Sequence, residues 1–319
     1  MKLDRIDGII PSVPTPFSAA GEVDWSALHG LIEFARASGA RAACLPAYAS
    51  EFYKLDEQER RRVVVEAVAA AAGRIPILAQ VNYPSAKQAA ENAQFAQAAG
   101  ADAVAIAVPR LFQVPESDLL RYFDRVLRGI HVPVLIQDYN QSGPVVSPRF
   151  VAELHRAHPQ FRYLKLEEPM MASKIQAILQ ETGGAVGVLE GWGGMYMLEL
   201  IPAGICGVMP SLGLADLLAR VYQLVLDGRR TEAYDIFAAL LPQICYSLQH
   251  MELYHHAEKL LLRARGILET TCVRDSGMEL RACDTAHIDF LNGRILDLLD
   301  RLGMPRHPAM VAKEALSHV

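Results

Sequence analysis

Short apolar runs alternate with longer amphipathic segments from the start of the chain to about residue 226, and this alternation restricts the fold more than any other feature. Eight runs read as strands: 8–17 ("GIIPSVPTPF"), 42–47, 75–82, 101–109, 132–140, 161–167, 185–191 and 204–210. Their interiors are continuous Val, Ile, Leu and Ala, the pattern of strands buried on both faces. The spacing between them predicts helices. "VDWSALHGLIEFARASG" has apolar residues at 25, 28, 31, 32 and 35 and closes on Gly39. Asp56 and Glu59 have the capping-box spacing ahead of "VVVEAVAAAAG". Eight such units, at intervals of roughly 20–30 residues, favour a closed (β/α)8 TIM barrel over an open α/β sheet. No GxGxxG follows the first strand to suggest a dinucleotide fold. Beyond about residue 226 the β pattern stops, and 229–250, 253–270 and 284–302 read as helices. The expected organisation is a barrel over 1–226 with a C-terminal helical extension over 227–319, packed as one structural unit.

The 319 residues are 51% hydrophobic and 21% charged, enough to bury a large core. A net charge of −5 gives no electrostatic case for nucleic acid or an anionic membrane as partner. No apolar run reaches the length of a membrane span, and "MKLDRIDGII" lacks a signal-peptide core. The five cysteines form no CxxC pair, which argues against a disulfide framework or a zinc site. The expected location is cytoplasmic.

In a barrel of this kind the active site lies at the C-terminal ends of the strands. The polar residues there are Thr15, Tyr48, Ser50, Glu51, Asn82, Arg110, Gln137, Asp138, Tyr139, Lys165 and Glu167, with the Gly-rich "EGWGG" (190–194) after strand seven. Lys165 is the single lysine at any of these ends, and it closes the apolar run in "RYLKLEEP" (162–169). A buried ammonium is costly unless it is paired or neutralised. Lys165 is therefore either a solvated strand end in a surface ion pair or an amine kept partly neutral, able to attack a ketone and form a Schiff base. Glu167, two residues on, should point to the same side and is placed to give or take a proton. His155 and His158 read as helix-surface residues. The adjacent His255 and His256 cannot share a helix face, so no metal site is expected there.

"IIPSVPTPFSAAGEVD", the "SE" of "AYASEFYKLDEQER", "VPVLIQDYNQSG", "YLKLEEP" and "AGICGVMPSLGLADL" resemble, in order and spacing, the dihydrodipicolinate synthase / N-acetylneuraminate lyase family of class I aldolases. The resemblance covers essentially the whole chain. It implies a barrel enzyme, commonly a homotetramer, acting on a small 2-oxo acid held as a Schiff base on a strand-six lysine, without a metal or other cofactor. That lysine maps onto Lys165. Where the family has a Gly-Thr-Thr-Gly-Glu loop for the substrate carboxylate, this chain has Ala47, Tyr48, Ala49, Ser50 and Glu51. The carboxylate is then expected on Ser50, Tyr48 or backbone N–H groups. Where the synthases carry a proton-relaying tyrosine on strand five, this chain has Gln137 and Asp138. An amide has no titration near neutral pH and cannot relay a proton as a phenol does. Tyr139 is the expected stand-in.

The "QD" strand end, the "SE" loop and "K-x-E" look more like the branch containing 2-keto-3-deoxy-L-arabonate dehydratase, which removes water from a 2-keto-3-deoxy sugar acid. The resemblance thus implies a lyase with Lys165, Glu167, Gln137 and Tyr139 as catalytic residues. Tyr48, Ala49, Ser50, Glu51, Arg110, Gly191 and Val208 are the candidates for substrate binding; Arg110 could equally pair with an acid of the protein. Three alternatives stay open. The same lysine would serve a pyruvate-dependent aldolase or synthase, "EGWGG" and "AGICG" could cradle a phosphate, and the barrel could have lost its chemistry.

Overall fold

Parallel strands and helices alternate as β1 (Gly8–Ile9), α1 (Trp25–Ala37), β2 (Ala43–Leu45), α2 (Glu57–Ala71), β3 (Ile77–Gln80), α3 (Ala86–Ala98), β4 (Ala103–Ala107) and α4 (Glu116–Leu127). The series continues with β5 (Val134–Tyr139), α5 (Pro148–Ala157), β6 (Phe161–Glu167), α6 (Met171–Glu181), β7 (Gly187–Glu190), α7 (Met197–Ala203), β8 (Gly207–Val208) and α8 (Ala215–Leu226). Three further helices follow: α9 (Arg230–Ser247), α10 (Met251–Ala264) and α11 (Ala282–Arg301). The computed structural model describes residues 6–110, 112–139 and 145–309. Asn140, with which the expected fifth strand ended, lies outside them. Among the described residues no helix is long and apolar enough to cross a membrane.

The hydrogen-bonded order β1-β8-β7-β6-β5-β4-β3-β2 is that of a barrel. At its seam, past the end of β1, Ser12 bridges Cys44 on the β2 side and Ser211 on the β8 side. The expected strand over 8–17 shrinks to Gly8–Ile9 because Pro11, Pro14 and Pro16 have no N–H to give to a ladder. Only scattered bonds remain there, such as Val13 N–H to the Cys44 carbonyl at 2.9 Å and Cys44 N–H to the Pro11 carbonyl at 3.0 Å. On the other flank β1 and β8 lie so close that a Cβ on Gly207 would stand 2.4 Å from the Gly8 carbonyl oxygen.

Side chains of alternating residues divide the apolar mass in two. Ile10, Cys44, Leu78, Ala103, Ala105, Leu135, Tyr163 and Leu189 fill the barrel interior, and the Tyr163 hydroxyl accepts the Ile6 N–H at 2.7 Å near the bottom. Leu164 and Leu166 face the other way, into the larger core between strands and helices. Helix starts are fixed locally. Asp24 accepts the Ala27 N–H at 2.9 Å, Asp56 and Glu59 form the expected reciprocal box, and Ser147 caps α5 ahead of Pro148; such caps contribute about 1 kcal/mol each.

The helical extension is fastened to the barrel by buried charge. Lys259 on α10 donates to Glu51 at 2.5 Å and to the Cys272 carbonyl at 2.7 Å. Lys54 bridges Glu51 at 3.1 Å and Glu252 at 2.8 Å. Arg265 forks onto Asp216 at 2.9 and 2.6 Å and donates to the Gly213 carbonyl at 2.6 Å. Removing one member of such a pair strands its partner, at a cost of roughly 3–5 kcal/mol. His158 sits deeper than its reading as a helix-surface residue, and His255 is buried as well. His158 caps α5 with 8% exposure, its Nε2 3.2 Å from Asp124. His255 is 1% exposed, with Nε2 3.0 Å from the Tyr53 hydroxyl.

Burial, reinforced by the Lys54 charge, pulls the His255 imidazole down to about 3. A folded-state value below the unfolded one means that His255 contributes stability in full above pH 6.5 and loses it as the pH falls towards 3. Glu190 and Glu258, raised to about 7 by burial, act in the opposite sense, contributing most below pH 4.5 and losing it as pH rises towards 7. The His255→Gln variant removes only the first effect. Its thermal stability between pH 6.5 and 4.5 should fall less steeply than the wild type's, the difference approaching ~1.4 kcal/mol per pH unit. Parallel melting-temperature profiles for the two proteins would contradict this account.

Candidate active site

The strand register brings four of the expected residues together: Gln137 pairs with Lys165 and Tyr139 with Glu167 across β5 and β6. All four line one open cleft at the C-terminal ends of the strands, with an empty volume of about 490 Å³ that includes space open to solvent. Lys165 Nζ stands 3.3 Å from Glu167 Oε1. Both residues are under 10% exposed, at 7% and 8%, so this is a buried pair and not the solvated strand end that was the plainer alternative.

Glu167 is oriented by a chain of hydrogen bonds that can run in one direction only. The Ala107 N–H, which can only donate, binds Asn82 Oδ1 at 2.9 Å. That oxygen also accepts from Gln80 Nε2 at 3.3 Å, so the Gln80 amide must present its nitrogen. Gln80 Nε2 donates again to Gln137 Oε1 at 2.5 Å, and Gln137 Nε2 then donates to Glu167 Oε2 at 2.7 Å. Gln80 Oε1 receives the Cys44 thiol at 3.6 Å, and burial pushes that thiol up to about 12, so it stays a donor. Glu167 closes the chain as an acceptor on both oxygens.

Burial raises the Glu167 carboxyl above the ordinary carboxylate range, while the Lys165 charge and the bonds from Gln137 and Lys165 pull it back. The carboxyl is thereby readied to exchange a proton, held next to an amine. The Tyr48 phenol is raised by burial and by Glu167 and Tyr139, and its ring lies 6.0 Å from that of Tyr139. Space for this arrangement depends on Gly191. A Cβ there would stand 2.4 Å from Glu167 Cγ and 2.7 Å from Lys165 Cε.

Of the expected binding residues, Tyr48, Ala49 and Gly191 line the cleft, whereas Ser50, Glu51, Arg110 and Val208 do not. Ser50 is fully buried and donates its hydroxyl to the Val13 carbonyl at 2.5 Å. Glu51 is held between Lys54 and Lys259. Arg110 pairs at 2.8 Å with Asp138, a fully buried acid whose other oxygen takes the Val146 N–H at 2.5 Å. Val208 points into the outer core. The phosphate alternative meets a specific obstacle. Glu190 accepts the N–H groups of Trp192 at 3.1 Å and Gly194 at 2.7 Å, and the Gly191 N–H is given to the Leu166 carbonyl at 3.0 Å, so three amides of "EGWGG" are already committed. Among the described residues no group of three or more His, Cys, Asp or Glu is arranged to hold a metal.

The structure adds residues that the strand-end reading passed over. Gln80 and Cys44 belong to the chain of bonds behind Glu167. Ser211, Leu248, Met251 and Tyr254 complete the cleft wall. Ser211 follows strand eight and was open to the same rule that found the others. The last three come from the helical extension, whose docking no local pattern reveals.

The family profile described as Dihydrodipicolinate synthetase matches residues 5–276. An L-2-keto-3-deoxyarabonate dehydratase from Azospirillum brasilense is 30% identical over 284 residues, 86% of this chain and 90% of that protein. A 4-hydroxy-tetrahydrodipicolinate synthase from Rhizobium meliloti is 32% identical over 155 residues, 48% of this chain and 52% of the synthase. In three dimensions, a dihydrodipicolinate synthase from Rhodopseudomonas palustris superposes with a TM-score of 0.84 at 26% identity, covering 90% of this chain and 97% of that one. With the barrel, its helical extension and the matched profile in agreement, the chain belongs to the dihydrodipicolinate synthetase family and is a lyase.

Proposed function

We propose that the chain dehydrates a 2-keto-3-deoxy sugar acid through an enamine carried on Lys165. The observation that carries this reading is the buried Lys165–Glu167 pair with an amide, Gln137, where a proton-relaying phenol would otherwise stand. The likeness to the Azospirillum dehydratase over most of both chains supports it. Lys165 adds to the C2 ketone, and loss of the former carbonyl oxygen as water leaves an iminium. This acidifies C3, whose proton passes to Glu167 to give the enamine. The same carboxyl returns a proton to the C4 hydroxyl, which leaves as water, and the chain becomes an unsaturated iminium. Loss of a proton at C5 and gain of one at C3 give an enol across C4 and C5. The enol takes a proton at C4 as its hydroxyl gives one up, and hydrolysis of the iminium frees the lysine and releases a semialdehyde.

Cleavage of the C3–C4 bond would instead need a base at the C4 hydroxyl, and Gln137, an amide at the relay position, cannot be that base. Tyr139, beside Glu167 in the register, is suited to hold that hydroxyl. The substrate carboxylate falls to the Tyr48–Ala49 segment. The Ser50 hydroxyl is engaged, and the N–H groups of Ser50 and Glu51 are spent on the Ala47 and Tyr48 carbonyls.

Borohydride reduction in the presence of pyruvate or a 2-keto-3-deoxypentonate should leave a mass adduct on Lys165; no adduct with either would end the Schiff-base reading. A semialdehyde product supports dehydration, whereas pyruvate plus an aldehyde would replace it with aldol cleavage. The Glu167→Gln variant should keep the adduct and lose roughly 100-fold or more in kcat, and unchanged turnover would remove Glu167 from the mechanism. In Gly191→Ala, the methyl group displaces Lys165 and Glu167. Trapping should slow by roughly tenfold or more with little change in melting temperature, and trapping at the wild-type rate would show that Gly191 is not required for the geometry.

A further inference from the structure

Behind the "EGWGG" loop a second cavity opens between the barrel and helices α9 and α10, and Gly193, Ser211 and Tyr254 bound both it and the catalytic cleft. Its polar lining comes largely from the extension: Gln243 and Ser247 on α9, and Tyr254 and Glu258 on α10. A cluster built only for packing would be internally satisfied, and part of this one is. Glu258 accepts the Gly213 N–H at 2.7 Å, and Ser247 donates to the Ile244 carbonyl at 3.1 Å. Gln243 is the exception. It is 3% exposed, and its Oε1 receives no hydrogen bond. A buried acceptor left without a donor is unfavourable and calls for an explanation in a native structure.

What would satisfy that oxygen is a donor arriving from the cleft. The cavity has no lysine or arginine in its lining, so a second carboxylate would find no counter-charge there. Burial raises Glu258 to about 7, and the same apolar surroundings that disfavour its charge disfavour a second anion and suit a neutral group. A hydroxyl meets both conditions, since it donates to Gln243 and accepts from a neighbour.

We propose that Gln243, with Ser247 and Ser211 beside it, is the subsite for the terminal hydroxyl of the substrate's tail. The helical extension, through Gln243 and Ser247, then selects hydroxylated 2-oxo acids over those ending in a methyl or a carboxylate. The inference rests on a 2-oxo acid being held at Lys165, but not on which bond breaks afterwards.

The test compares three ligands by borohydride trapping at Lys165: a 2-keto-3-deoxypentonate, 4-hydroxy-2-oxopentanoate, which lacks only the terminal hydroxyl, and pyruvate. Wild-type protein should reach half-saturation with the pentonate at about a tenfold lower concentration than with its deoxy analogue. In Gln243→Met the pentonate should lose about tenfold, while the analogue and pyruvate change by less than about twofold. Trapping of pyruvate also reports whether the variant's site is folded. An unaffected pentonate, or an equal loss for all three ligands, would overturn the subsite. So would a wild type that does not distinguish the pentonate from its analogue. A pyruvate product in place of a semialdehyde would overturn dehydration and leave the Gln243 effect standing; no adduct with any ligand would remove both.

Discussion

The Ala107 N–H is a small group, yet the arrangement of the polar side chains around Lys165 and Glu167 follows from it. Because it cannot accept, Asn82 must offer its oxygen, Gln80 its nitrogen, Gln137 its oxygen and then its nitrogen, and Glu167 must receive. Amide side chains ordinarily have two orientations of similar energy. Here the backbone of β4 removes that freedom through three side chains and delivers an oriented carboxylate to the amine two residues before it on β6. The Cys44 thiol, kept protonated by burial, supports the same sense from the far side. A site whose acid is aligned before substrate arrives loses little to reorganisation during the reaction.

Charge burial divides the remaining polar residues between two tasks. The Lys165–Glu167 pair opens into the cleft. Glu51 with Lys54 and Lys259, Asp216 with Arg265, and Asp138 with Arg110 are committed to one another. Each of these pairs holds a loop or helix against the barrel mouth. The glutamate of the altered carboxylate loop is thus a joint between β2 and α10, and the position of Tyr48 and Ala49 depends on it.

The barrel was legible because its signal repeats. Eight apolar runs with helical spacing between them leave few topologies, and the sixth run matched β6 residue for residue. Proline chemistry shortened the first strand in a way the residues themselves explain. Lys165, Glu167, Gln137 and Tyr139 could be read from alternation along two strands, because residues two apart share a face. Ser50, Glu51 and Arg110 could not be sorted the same way. They sit in loops, where direction is set by partners remote in sequence, such as Lys259, which is 208 residues from Glu51. Gln80 was hidden inside a strand that read as uniformly apolar in purpose, and Tyr254 on a helix whose docking surface is not a periodic property.

The ion pair between Glu51 and Lys259 also bears on how such a chain can be recombined with its relatives. The stretch that carries the barrel chemistry and the stretch that lines the side cavity are contiguous blocks of sequence, which invites exchange of the helical block alone. The joint makes that exchange conditional. A donor block lacking a cation at the Lys259 position would leave one Glu51 oxygen buried without its partner, with Lys54 alone on the other, and a recipient lacking Glu51 would strand the lysine. The two residues form one structural unit, so the helical block can be exchanged without stranding a buried charge only if both members of that unit are kept together.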